Sequence, residues 1–83
     1  MFKVYVLYSC SFEKIYIGFT SDLESRIESH NVLAKKGYTF HYRPWVLVYM
    51  ESMETKQEAM RRERELKSAK GRAFIWDLIK NTR

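Results

Sequence analysis

Polar and apolar residues alternate in two stretches near the start of the chain, and this period predicts two β-strands. In the stretch Phe2 to Tyr8, Val4 and Tyr5 point to opposite sides. The second stretch, Ile15 to Phe19, follows a short polar segment. The pattern therefore predicts an antiparallel hairpin with one apolar face and one face that carries tyrosines.

Apolar positions then recur at helical spacing from Asp22 to about Lys36, with Gly37 just beyond. The segment Tyr38 to Pro44 has no clear period, and we expect an ordered loop there. The run Trp45 to Met50 is almost continuously apolar, which is typical of a strand buried on both faces. A third strand is therefore expected after the loop.

Chain connectivity fixes the order of these strands. A right-handed crossover makes the third strand parallel to the second, so it must pair antiparallel with the first strand on its free side. The expected fold is α/β: a small three-stranded antiparallel sheet of order 2-1-3, flanked by helices. The chain is expected to form one domain over residues 1–83.

Two further helices are predicted after the sheet. The segment Thr55 to Glu58 has the spacing of a capping box and opens a helix that reaches about Lys70. Gly71 is expected to interrupt it. The last helix is predicted from Arg72 to Lys80, with four residues packed inward: Phe74, Ile75, Leu78 and Ile79.

Composition narrows the choice of function class. The 83 residues carry a net charge of +5, which favours a polyanionic partner such as nucleic acid. Because Cys10 is the only cysteine, it offers no internal disulfide, and a reducing, cytoplasmic compartment is the simplest interpretation. No apolar run reaches the length of a membrane span, so no membrane association is expected.

Candidate chemistry lies beside the apolar stripe of the first helix. Arg26 and His30 are four residues apart, and Tyr16 leaves the second strand on the face opposite the isoleucines. In the second helix, Glu63 falls between apolar positions, one turn before Lys67. A carboxylate is costly to bury unless it is paired or binds a cation. We therefore expect a pocket on one side of the sheet.

Each of these residues also has a structural alternative. Tyr5 and Tyr16 could be packing residues of the sheet, and His30 a hydrogen-bonded core histidine. Arg26 could extend along the sheet surface, and Glu63 could form a salt bridge with Lys67 or Arg26. Their conjunction on one side of the predicted sheet favours a site.

The motifs in this order resemble the GIY-YIG endonuclease superfamily, in particular its small stand-alone members. The resemblance rests on Lys3-Val4-Tyr5 and Tyr16-Ile17-Gly18, ten residues apart, and continues through Arg26, His30-Asn31 and Arg62-Glu63. The first motif departs from the family, since Lys3 and Val4 replace its glycine and isoleucine. The residue identified with the motif tyrosine, Tyr5, is present.

The resemblance implies a metal-dependent endonuclease that hydrolyses phosphodiester bonds, in DNA rather than RNA. The implied catalytic residues are Tyr5, Tyr16, Arg26, His30 and Glu63. Tyr16 would act as base or relay, and His30 would hydrogen-bond Tyr16 or the scissile phosphate. Glu63 would hold one Mg²⁺ or Mn²⁺.

Cations on and after the second helix supply candidate nucleic-acid contacts. The expected set is Arg61, Arg64, Lys67, Lys70 and Arg72. One alternative is that these charges form an ordinary solvated face. Another is that the protein is a non-catalytic nucleic-acid-binding module, in which aromatic side chains of the loop Tyr38–Trp45 stack on unpaired bases. A protein partner is compatible with the sequence but is not indicated by it. A pure binding module would have no use for a carboxylate directed at phosphate.

Overall fold

The strand β1 (Phe2–Ser9) is the centre of a three-stranded sheet. A computed structural model describes residues 1–33 and 37–82. In it, β1 pairs antiparallel with both β2 (Lys14–Thr20) and β3 (Val46–Met53), which gives the order β2-β1-β3. The expected sheet order and central strand are therefore confirmed.

Alternate residues of β1 enter two separate apolar clusters. Val4 and Val6 belong to one cluster, together with Ile15 and Ile17 of β2. Tyr5 belongs to the other, together with residues on the opposite face. The period of two in the sequence thus assigns each β1 side chain to its face.

The helix α1 (Leu23–Glu28) begins where the sequence predicts. Asp22 is its N-cap, and the Asp22 carboxylate accepts a hydrogen bond from the Ser25 amide at 3.2 Å. A π-helical turn, Ser29–Leu33, continues it. The end of the predicted helix, residues 34–36, lies outside the described residues. Leu23 and Ile27 pack beside Tyr5, so α1 covers that face of the sheet.

The expected loop from Tyr38 to Pro44 contains a single helical turn, α2 (Tyr38–His41). Buried Trp45 fixes this segment, since its indole N–H donates to the Thr39 carbonyl at 2.9 Å. The Asn31 side chain bonds both the amide and the carbonyl of Trp45. The prediction of an ordered loop was wrong only at α2, because this short helical turn shows no helical period in the sequence.

The prediction that the third strand is buried on both faces was wrong. β3 is an edge strand, and it exposes Val46, Leu47 and Met50. Its register against β1 shifts between Val6 and Leu7, where β3 carries one extra residue. An apolar run does not distinguish a central strand from an edge strand.

The helix α3 (Lys56–Lys67) opens with the predicted capping box. Thr55 Oγ1 accepts from the Glu58 amide at 3.2 Å, and Glu58 accepts from the Thr55 amide at 3.1 Å. The helix ends at Lys67, with Ser68 as its C-cap, not near Lys70. The last helix, α4 (Ala69–Thr82), contains Gly71 within its first turn.

Gly71 therefore does not interrupt a helix, contrary to the prediction. A Cβ at this position would lie 2.5 Å from the Leu66 Cα and closer still to the Glu65 carbonyl oxygen. Glycine lets the start of α4 approach the end of α3. In α4, Ile75 and Ile79 are buried as expected, but Phe74 is exposed.

Helices α3 and α4 cover the face opposite α1. Ala59 and Leu66 of α3, with Ile75 and Ile79 of α4, join the cluster that contains Val4. The expected pocket therefore does not lie on one face of the sheet alone, because α1 and α3 pack on opposite faces. A candidate site that uses residues of both α1 and α3 must therefore lie where side chains from the two helices can meet.

Candidate active site

A cavity of about 390 Å³ lies at the end of the sheet where β1 begins and β2 ends. Its walls come from both strands and from α1 and α3, so it is open to groups from both sides of the sheet. Its lining contains four of the five predicted catalytic residues: Tyr5, Tyr16, Arg26 and Glu63. His30 lies behind the cavity wall, in contact with Tyr5.

Tyr5 is buried, and its hydroxyl lies 3.1 Å from His30 Nε2. Burial, reinforced by the neighbouring Tyr16, raises the pKa of Tyr5 to about 12, although Arg26 opposes the shift. Tyr5 is therefore a neutral hydroxyl near pH 7. It can donate a hydrogen bond and hold its neighbours in place, but it does not serve as a base.

His30 is buried beside Tyr5, on the side of the sheet to which the Tyr5 side chain points. Burial lowers the pKa of His30, and the Arg26 charge lowers it further. The imidazole is therefore neutral near pH 7, and its Nε2 shares a hydrogen bond with the Tyr5 hydroxyl. The expected hydrogen bond from His30 to Tyr16 is replaced by this one. His30 meets Tyr16 through ring contact, with centroids 4.7 Å apart.

Gly18 makes this arrangement possible. It pairs with Tyr5 across the β1–β2 ladder. A Cβ at Gly18 would lie 2.8 Å from the Tyr5 hydroxyl oxygen and 3.2 Å from a ring carbon of Tyr16. Because glycine has no side chain, the phenol rings of Tyr5 and Tyr16 have room to lie beside the cavity.

Arg26 is exposed on α1 and lines the same cavity. Its charge acts on both buried neighbours, since it lowers the pKa of Tyr5 and that of His30. A guanidinium is always charged and can bind two oxygens of a phosphate at once. Arg26 is thus placed to receive an anion that enters the cavity.

Glu63 reaches the cavity from α3, whose apolar contacts lie on the opposite face of the sheet. Its side chain is only 20% exposed. Lys67 Nζ lies 3.6 Å from Glu63 Oε1, which is longer than a hydrogen bond, and the Lys67 side chain is 47% exposed. The salt-bridge alternative therefore exists here as a loose pair, and it leaves the carboxylate facing the cavity.

A second ion-pair network holds α3 against the sheet. Arg62 binds both carboxylate oxygens of Glu51 on β3, at 2.9 and 3.1 Å from Nε. Tyr49 donates to the same carboxylate, and Arg62 also bonds Glu65 at 3.2 Å. Burial opposes ionisation of Glu51, but these bonds outweigh it and lower its pKa. Because Glu63 directly follows Arg62 in α3, this network also fixes the position from which the Glu63 side chain enters the cavity.

The donor set suits a divalent cation that shares its coordination with substrate. Among the described residues, Glu63 is the only carboxylate that lines the cavity. Within residues 1–33 and 37–82, no group of three or more His, Cys, Asp or Glu side chains is placed to hold a metal ion. Mg²⁺ commonly takes one or two carboxylates and completes its shell with water and phosphate oxygens. Glu63 fits that pattern.

The five predicted nucleic-acid-binding cations are exposed but do not share one direction. At about 100° per residue, Arg61 lies nearly opposite Glu63 on α3, and Arg64 lies about 100° away. The Arg72 guanidinium donates from Nε to the Lys67 carbonyl at 3.1 Å. Lys70 lines a second cavity, of about 530 Å³, between α3 and α4. The structure therefore distributes these charges around the helix pair.

Aromatic rings extend outward from Tyr16. The Tyr16 centroid lies 6.4 Å from that of Tyr38, which lies 4.9 Å from Tyr42, and Tyr42 lies 5.4 Å from Phe12. Tyr38 is 46% exposed and Phe12 is 49% exposed. A partly exposed aromatic surface therefore extends outward from Tyr16, which also lines the cavity.

The sequence argument missed three polar lining residues. These are Thr20, Ser21 and Lys56. The one signal available was helical spacing, because Lys56 precedes Glu63 by seven residues and so lies on the same side of α3. Lys56 was not predicted as a site residue because the capping box already accounts for the sequence of this segment.

The fold and the cavity define a small α/β protein with a tyrosine-, arginine- and glutamate-lined site. Comparison with known proteins agrees: residues 1–75 match the family model described as "GIY-YIG catalytic domain". The chain therefore belongs to the GIY-YIG family, which is a nuclease-type family whose members generally use divalent metals and bind nucleic acid. The predicted family membership is confirmed.

Similar proteins carry the name UPF0213. The chain is 45% identical over 69 residues to a UPF0213 protein of Staphylococcus haemolyticus, covering 82% of this chain and 84% of that one. It is 43% identical over 65 residues to a Staphylococcus aureus UPF0213 protein, covering 78% of each. The solution NMR structure of a Bacillus halodurans UPF0213 protein matches with a TM-score of 0.54 and 30% identity, covering 94% of this chain and 85% of that one.

None of the helices in the described part of the chain is long and apolar enough to span a membrane. The exposed Cys10 is a free thiol.

Proposed function

We propose that the protein is a divalent-metal-dependent endonuclease that hydrolyses phosphodiester bonds, with DNA as substrate. The observation that carries this proposal is the single cavity lined by Tyr5, Tyr16, Arg26 and Glu63, with His30 bonded behind it. Hydrolysis needs a positioned water, a counter-charge for the phosphate and help for the leaving oxygen. The lining offers a group for each need.

In the proposed reaction, a water oxygen forms a bond to phosphorus while the bond from phosphorus to the 3′ oxygen breaks. The Tyr16 oxygen accepts the water proton, either as a phenolate base or as a relay whose own phenol proton passes to solvent, and the departing 3′ oxygen takes a proton from solvent. The products are a 5′ phosphate and a 3′ hydroxyl. Arg26 holds the charged phosphate oxygens throughout.

Tyr5 and His30 act as positioning residues. His30 is hydrogen-bonded to Tyr5, and the ring of His30 packs on Tyr16, so the pair fixes where the Tyr16 phenol points. Glu63 would hold Mg²⁺ or Mn²⁺. When bound, such a cation stabilises negative charge on the leaving oxygen as a Lewis acid.

The test is Glu63→Gln, which keeps the size of the side chain and removes its charge. Cleavage of labelled duplex and single-stranded substrates with Mg²⁺ or Mn²⁺ should collapse, while binding persists or tightens and the melting temperature stays near that of wild type. Lys67→Gln is the matched control: it breaks the same pair from the other side and should leave the metal dependence of cleavage unchanged. A Glu63→Gln variant that cuts at the wild-type rate would remove Glu63 from the mechanism.

A non-catalytic nucleic-acid-binding module is the second candidate. The observation that favours it is the aromatic surface that includes Tyr38 and Phe12, which could stack unpaired bases. The two candidates separate on wild-type protein alone. A protein that binds and never cuts, with either metal, supports the module.

The exposed cations form a wider electrostatic contact in this proposal, on Arg61, Arg64, Lys67, Lys70 and Arg72. Each phosphate contact adds about −0.9 to the slope of log affinity against log salt on duplex. Replacing Arg61, Arg64 and Lys70 together should flatten that slope. An unchanged slope would mean that the duplex binds elsewhere.

A further inference from the structure

One cation of the cavity has no part in the chemistry described above. Lys56 lines the cavity together with Tyr16, Arg26 and Glu63. It is the first residue of α3, directly after the N-cap Thr55, so the capping box fixes the position of its backbone. The N-terminal cap of α3 therefore fixes the position of Lys56 beside the cavity.

Helix geometry relates Lys56 to Glu63. Seven residues turn an α-helix through almost two full turns and advance it by about 10 Å. α3 therefore presents an ammonium and a carboxylate along one wall of the cavity. Among residues 1–33 and 37–82, no salt bridge joins Lys56 to a carboxylate, whereas Arg62 and Lys67 are both paired.

Local stability gives no reason for a lysine at this position. The N-terminus of a helix carries a partial positive charge, which favours acidic side chains in the first turn and disfavours cations. Lys56 is a cation at the first helical position, where the helix N-terminus favours an acidic side chain. A residue that opposes its local environment and lines a functional cavity points to a role in binding.

We propose that Lys56 binds a phosphate next to the scissile one on the same nucleic-acid strand, and this inference rests on the proposed function. A strand carries one charge per nucleotide. Arg26 and Glu63 lie at the scissile phosphate, so a cation about 10 Å further along α3 meets a neighbouring phosphate. Thr20 and Ser21 line the same cavity and offer hydroxyl donors there.

The experiment compares Lys56→Ala and Lys56→Arg with Lys80→Ala, which removes an exposed lysine from α4, away from the cavity. Binding of labelled duplex is measured in chelator from 50 to 200 mM salt. Lys56→Ala should lower the slope by about 0.9, so that the loss of affinity over this range shrinks about 3.5-fold. Lys56→Arg should restore the slope, and Lys80→Ala should keep it.

Cleavage and stability measurements complete the test. Lys56→Ala should raise KM and leave kcat unchanged, with a melting temperature equal to or above that of wild type because a cation has left the helix N-terminus. The inference falls if Lys56→Ala keeps the wild-type slope, if Lys80→Ala lowers it equally, or if arginine does not restore it. A loss confined to kcat would place Lys56 at the scissile phosphate and also overturn it.

Failure of the proposed function gives a different result. A wild-type protein that binds nucleic acid but never cuts would refute the nuclease, while the salt slopes would still decide whether Lys56 contacts phosphate. A wild-type protein that binds no nucleic acid would refute both.

Discussion

The two faces of the sheet are built from alternate residues of the same strand, yet they differ in chemistry. One face is covered by α3 and α4, and its buried members are mostly aliphatic, among them Val4, Leu66 and Ile75. The other is covered by α1 and buries Tyr5 beside His30, with a hydrogen bond between them. Apolar area stabilises the first face, and the second also has to satisfy polar groups.

This difference predicts that one face of the sheet contributes mainly to the stability of the fold and the other mainly to its activity. The face covered by α3 and α4 is closed mostly by aliphatic side chains, and Tyr8 is the one phenol among the buried residues described there. The face with phenols and imidazole holds its polar atoms in fixed positions and opens into the cavity at its end. Substitutions on the two faces should therefore separate loss of folding from loss of activity.

The largest expected effect is on activity, from Arg26→Gln. Removing a charge that stabilises the phosphate should reduce cleavage by on the order of 10²–10³-fold. The melting temperature should stay close to that of wild type, because Arg26 is exposed. Steady-state cleavage and thermal unfolding measure the two outcomes. Lys80→Gln removes an exposed cation outside both the cavity lining and the proposed nucleic-acid contacts; it is the control and should keep its turnover.

Leu66→Ala should have the reverse effect. Leu66 is buried in the aliphatic face, and truncating it should destabilise the protein by about 2–5 kcal/mol. Cleavage per folded molecule, measured well below the melting temperature, should be unchanged. Met60→Ala on the same helix removes an exposed side chain and should cost far less. Equal losses of stability would contradict the assignment of Leu66 to the core.

The two close-approach glycines sharpen the comparison. Gly71→Ala places a methyl group against backbone atoms of α3, and the resulting strain of about 1–3 kcal/mol outweighs the gain of up to about 1 kcal/mol in helix propensity. Gly18→Ala instead presses on the Tyr5 hydroxyl and the Tyr16 ring. We expect the first to lower the melting temperature and the second to reduce cleavage more than stability. The opposite pattern would break the division between the faces.

The smallest effect is the pH dependence of stability. Burial lowers the folded-state pKa of His30, so as pH falls the unfolded state, with a histidine pKa of about 6.5, binds the proton first. Stability should therefore fall as the solution is acidified through that value, and the loss should end below the folded-state pKa. Denaturant unfolding between pH 8 and pH 5 measures this trend. A His30→Gln variant should show a flatter profile; an equally steep one would assign the effect to another group.

Local patterns were sufficient for the features that depend on neighbouring residues. The period of two in β1 separated Val4 from Tyr5 because successive side chains of any strand point to opposite faces. The capping box at Thr55 was predictable because its hydrogen bonds join residues three apart. The motifs around Tyr16 and Arg26 identified the family before any contact was known.

Tertiary structure decided what depends on residues distant in sequence. An apolar run such as β3 cannot reveal whether another strand lies on each side, so its exposure at Val46 was missed. Gly71 marks the close contact of two helices, which no local pattern encodes.

The same limit applies to the candidate site. The sequence supplied the residue types, but the bond between Tyr5 and His30 and the entry of Glu63 from the opposite face follow from packing. Lys56 joins the cavity for the same reason. Helical spacing fixes which residues share a side of a helix, and only the packing of that helix on the sheet determines what they face.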